Sequence, residues 1–173
     1  MVHPAHSVRE GTAARLRVDL SERRHDLRHD VPVPFASDPF AGYGADHRER
    51  PTGPTDLGAV VKARAIQCAL SRVCGLCGLS LATGPAAATT FVGSVAEADG
   101  NTFAFPPMHP ACAGYALSTY PRLGVPVLGQ PLVLAEWAVV VTGGFELERP
   151  SERGAPVLFH PNSVSSRETV TAG

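Results

Sequence analysis

The chain carries almost no net charge. Its 15 lysines and arginines face 16 acids, leaving −1 at neutral pH, so the molecule as a whole lacks the basic field with which nucleic-acid binders displace counterions from phosphate. It also lacks an apolar start. His3, His6, Arg9 and Glu10 interrupt the opening residues, no secretory signal is read there, and a cytoplasmic location is the expectation. Nor is there an apolar run long enough to span a membrane, because the richest window, 125–141, is broken by Pro126, Pro131 and Glu136. Large apolar side chains are scarce before Leu57, and much of the 44% hydrophobic fraction is alanine. A core is therefore expected only in the later two-thirds of the 173 residues, a length that suits one small domain with appended segments.

Catalytic signatures are missing as well. No glutamate stands two residues from His109, as a deaminase would need. Nothing between Phe91 and Phe105 offers the histidine of a treble-clef nuclease. Ser163, Ser165 and Ser166 have no glycine elbow around them. The glycines beside Tyr43 lack the flanking strand and helix of a phosphate loop. His160-Pro161-Asn162 reads as a strand end and turn, and Glu146, Glu148 and Glu152 as a solvated acidic edge.

What the chain does have is C-G-L-C at 74–77 and H-P-A-C at 109–112. Two pairs of soft or borderline donors, each spaced by two residues, close around one tetrahedral ion because a tight turn or first helical turn aims both donors of a pair at one point. Cys74, Cys77, His109 and Cys112 are the expected ligands of a structural Zn2+. Gly75 and Gly78 suit a knuckle turn. Apolar and β-branched runs at 89–92 and 102–105, with Asp99-Gly100 between them, predict a hairpin. Pro106-Pro107 ends it, and 109–120 predicts a helix carrying the second ligand pair. A redox C-x-x-C is disfavoured because Gly78 and Pro85 interrupt the helix it would need, and disulfides are disfavoured by the expected compartment.

The patterns C-G-L-C-G-L-S-L, F-V-G and F-P-P-M-H-P-A-C-A-G-Y-A-L resemble small, largely uncharacterised proteins of actinobacteria and their phages. The likeness covers about residues 68–124, with a weaker echo at the tryptophan strand and R-E-T-V. It implies a treble-clef-like finger with the same four ligands and no particular activity. One departure is Tyr120, where that pattern has a further cysteine before the proline.

The rest of the chain frames this finger. Residues 1–56 are expected to be a disordered or partly helical leader, with a short helix over 12–29 that shows His25 and His29, beside Asp26 and Asp30, on a solvated face. A Pro/Gly-rich linker is expected over 31–54. Thr55 is an expected N-cap for a helix from Asp56 onward. Cys68 reads as a buried thiol outside the ligand set. Beyond the finger, strands are expected at 132–142, at 145–147 after a Gly143-Gly144 turn, and at 157–159 stopped by Pro161, with an edge strand or frayed end from 165.

The fold class is thus α+β: a treble-clef-like zinc finger (68–124) with an antiparallel sheet (131–170), together forming a domain over 57–173. A closed site, a near-neutral finger whose only charges are Arg72, Glu97, Asp99 and Arg122, and no catalytic constellation favour a non-enzymatic module that contacts a protein partner. The alternatives are nucleic-acid binding through Arg9, Arg15, Arg17, Arg23, Arg24 and Arg28, or a metal-dependent modifying enzyme that recruits Cys68 or His160.

Overall fold

The computed structural model describes Leu20 and residues 23–39, 55–84 and 87–172. Within them lie a few helices and two antiparallel sheets, an α+β arrangement. The smaller sheet pairs β1 (His25–Asp26) with β2 (Val31–Pro32). The larger runs in the order β3 (Thr89–Gly93), β4 (Glu136–Glu148), β5 (Leu158–Thr171). Between them are α1 (Lys62–Leu70), α2 (Val95–Asp99) and α3 (Pro110–Thr119). Among the described residues, no helix is long and apolar enough to cross a membrane.

β4 is the middle strand, and it is covered on both faces from Trp137 to Val140. Its alternating side chains feed two clusters. One surrounds the cysteines and includes Trp137, Leu76, Phe105, Met108 and Tyr120. The other is aromatic, with Phe91, Phe103 and Phe159 around Val140 and Ala65. Phe91 sits at its centre, with ring centroids 5.2 Å from Phe103 and 5.9 Å from Phe145.

Several expectations need correction, each for a local reason. The hairpin over Asp99-Gly100 does not form. Ser94 instead opens α2 with a capping box: its hydroxyl accepts from Glu97 N–H, and the Glu97 carboxylate accepts from Ser94 N–H. Residues 102–105 are then no strand, and Phe103 makes one bridge, to Phe159. The helix expected from Asp56 begins only at Lys62. Asp56 spends its carboxylate on Gly58 N–H in a local turn, and Val61 N–H is taken by Ala36 carbonyl.

Gly143-Gly144 is not a turn either, because β4 runs straight through it and pairs with β5 on both sides. A Cβ on Gly144 would lie 2.6 Å from Asn162 Oδ1, so glycine here marks a close approach between strands. Pro161 does not stop β5. It pairs with Phe145 in an edge strand, where its missing N–H costs the ladder little.

The leader holds the largest correction. Residues 12–19 and 40–54 lie outside the described residues, but 31–38 are buried rather than linker-like. His25 and His29 do not share a helix face. Asp26 turns the chain by accepting from Arg28 N–H and His29 Nδ1, which favours a tight turn over a helix.

Candidate metal centre

Val73 and Ser80 bridge across a knuckle closed by Cys74 N–H to Leu79 carbonyl and Gly78 N–H to Cys74 carbonyl. Gly78 is the residue that makes it possible. Its φ is +75°, and a Cβ would meet the Phe35 ring at 2.6 Å. Cys74 and Cys77 thereby face the same side.

The second pair arrives from another direction. Thr90 and Met108 exchange both backbone hydrogen bonds, each 2.9 Å, which pins the chain just before His109 to the edge of β3. Gly75 N–H also bonds Pro107 carbonyl, at 2.9 Å. Then His109 is the N-cap of α3, and Pro110 at its first position pre-sets the helical φ. Cys112 falls in the first turn, where the helix dipole favours a thiolate.

The four donor atoms of Cys74, Cys77, His109 and Cys112 lie within 4.8 Å of one another and are able to hold a metal ion. The sequence-predicted set is therefore brought together in full. Cys77 Sγ and Cys112 Sγ stand 3.5 and 3.6 Å from His109 Nδ1. A tetrahedron with arms of ~2.3 Å to sulfur and ~2.0 Å to nitrogen has an S···N edge of about 3.5 Å, so this spacing fits such an ion. His109 Nε2 points away and donates to Ser80 carbonyl at 2.8 Å. That bond leaves Nδ1 as the lone-pair nitrogen facing the cysteines.

The thiols are electrostatically coupled. Burial opposes ionisation of Cys74, but hydrogen bonds from the Cys112 and Cys77 thiols and from the N–H groups of Cys77 and His109 outweigh it and hold Cys74 well below the usual thiol range. Hydrogen bonds to Cys74 and Cys77, together with burial, push Cys112 the other way. A divalent cation at the centre of these sulfurs would favour the thiolate form of each.

Cys68 stays outside the cluster. It is fully buried, and burial with the nearby Cys74 pushes its thiol up to about 12, so it is a small apolar filler at neutral pH. His160 is likewise elsewhere, held by the Glu148 carboxylate and Asn101 carbonyl. Of the leader arginines, Arg23 and Arg24 both reach the Asp38 carboxylate, at 3.2 and 3.5 Å, which takes up charge that a phosphate would need. Arg9, Arg15 and Arg17 lie outside the described residues.

Sequence reasoning missed the strap that backs the knuckle. Phe35 N–H bonds Leu76 carbonyl and Ala36 N–H bonds Gly75 carbonyl, each 2.9 Å. The Phe35 ring lies under the Arg64 guanidinium, 4.3 Å from its centroid. Tyr120, standing where the resemblance has a cysteine, is fully buried and donates to Pro32 carbonyl at 2.6 Å. It ties the end of α3 to the same strap. The signal was present in V-P-V-P-F at 31–35, whose alternating prolines favour an extended strip and whose apolar residues need cover. Comparisons with protein-family models, curated proteins and solved structures gave no match.

Proposed function

We propose that the Cys3His cluster is a structural zinc site of treble-clef type, the kind implied by the resemblance to small actinobacterial and phage proteins, in a non-enzymatic module that contacts a protein partner. The observation that carries this reading is closure. Four protein donors converge, the three sulfurs are buried, and the remaining histidine nitrogen is committed to Ser80. A catalytic zinc keeps a position for water or substrate, and a filled tetrahedron does not. Three thiolates and an imidazole form a soft donor set that suits zinc over magnesium or calcium. The order of knuckle, Thr90–Met108 bridge and ligand-bearing helix supports the treble-clef assignment, with the hairpin reduced to that bridge. Exposed Leu70 and Leu79, which flank the first ligand pair in sequence, support a protein contact.

Cobalt substitution tests the closed site. The Co2+ protein is expected to show tetrahedral thiolate bands that azide leaves unchanged. Bands that shift on azide addition would mean an open position and would overturn the structural reading.

A further inference from the structure

β5 is an edge strand, and residues 162–169 are exposed on both faces of the sheet. Its ladder to β4 fixes which backbone groups point outward. Ala172 N–H donates to Ala135 carbonyl, next to the Thr171–Glu136 pair. In an antiparallel ladder the bonded and non-bonded pairs alternate, so Val170, Glu168 and Ser166 also face β4. Thr171, Thr169 and Arg167 therefore turn N–H and C=O away from the sheet. Among the described residues, no backbone hydrogen bond reaches those groups from another element. The irregularity between Val141 and Thr142 ends this regular edge at Ser166.

We propose that the edge pairs with β5 of a second copy of this chain, antiparallel about a two-fold axis through Thr169. Only outward residues exchange bonds across an added strand, and a two-fold axis must relate them to one another. The axis through Thr169 pairs Arg167 with Thr171 of the second copy, Thr169 with its own equivalent, and Thr171 with Arg167 of the second copy. All three regular outward residues are then satisfied by the same three on the other chain. An axis through Glu168 would set two carboxylates directly opposite, which is destabilising. One through Arg167, whose guanidinium is held by Asp99 of its own chain, would set Thr169 and Thr171 against Ser165 and Ser163 beyond the irregularity. The Thr169 axis avoids both, placing Glu168 against Val170 and a threonine against a threonine. The product is a six-stranded sheet with β3 at each end and no bare edge at its middle.

The test uses the full, metal-loaded chain in sedimentation equilibrium. Wild type is expected to show a monomer–dimer equilibrium. Thr169→Glu and Thr169→Lys, each placing like charges across the axis, are expected to raise the dimer dissociation constant by about fivefold or more. An equimolar mixture of the two variants is expected to regain dimer, because Glu then faces Lys. Thr169→Pro removes an outward N–H that β4 does not use, so it should give monomer with unchanged circular dichroism. Wild type that stays monomeric at every concentration would overturn the proposal, as would a dimer unaffected by both charge variants, which would join copies through another surface. A Thr169→Pro protein that has lost its circular dichroism would also overturn the outward assignment.

Discussion

The knuckle and the aromatic cluster beneath the sheet stand on opposite sides of β4, and they are held together by different forces. Phe91, Phe103 and Phe159 are buried, within ring-contact distance of Phe91, and need nothing beyond burial to stay together. Cys74, Cys77 and Cys112 converge within an apolar cluster of their own, among Leu76, Phe105, Met108, Tyr120 and Trp137, but they bring three sulfurs and an imidazole to one point inside it. One half therefore rests on area removed from water alone, and the other on such area together with donor atoms that a cation would bridge. The first should survive loss of a metal, and the second should not.

Chelation probes that contrast with the largest effect. Structural zinc in small fingers is worth on the order of 10 kcal/mol, comparable to the whole stability of a domain. Metal removal, or Cys77→Ser, is expected to abolish amide protection in the knuckle and in 33–38 while leaving slower exchange in β3–β5. Hydrogen exchange read segment by segment checks this, and uniform loss across both halves would erase the contrast.

Phe91→Ala attacks the other side. Removing a fully buried ring at the centre of the aromatic cluster is expected to cost about 3–5 kcal/mol, read from denaturant unfolding, with metal stoichiometry unchanged. Gly78→Ala falls between the two regions. It forces a Cβ into a left-handed position against Phe35, for about 1–3 kcal/mol, and should loosen the strap before it releases metal. Tryptic cleavage after Arg28 reports that loosening.

How much of this was legible depended on the scale at which each feature is written. The convergence of Cys74, Cys77, His109 and Cys112 was readable because two C-x-x-C-like pairs carry their geometry in their spacing. The helix at Pro110–Thr119 and a strand containing Trp137 were readable from Pro placement and apolar runs. The strap was legible only as an extended apolar strip in V-P-V-P-F, and not in its place, since Phe35 and Tyr120 bond backbone carbonyls of distant residues, Leu76 and Pro32. The false hairpin came from weighing Asp99-Gly100 above Ser94 and Glu97, although the capping box was spelled out in the same stretch. Gly143-Gly144 misled because a glycine pair reads alike whether it turns a chain or lets two strands approach.

The smallest effect separates the regions by pH. A hydrogen bond to Glu148, then one to Asn101 carbonyl, raise the pKa of His160. A group whose folded pKa is raised contributes stability that is full below its unfolded value near 6.5 and is lost as pH rises through the folded value. Glu148→Gln should flatten that slope slightly in the β4–β5 ribbon and leave the metal centre untouched. A thermal melt series across this range is sufficient, and an equal slope in both proteins would remove the contribution assigned to this pair.

X-ray absorption on protein of known metal content reaches the central claim most directly. Zinc at one ion per chain, with three sulfurs at ~2.3 Å and one nitrogen at ~2.0 Å, is the predicted result. A stoichiometry near zero in reduced, freshly folded protein, or a shell containing oxygen in place of one of these donors, would contradict it.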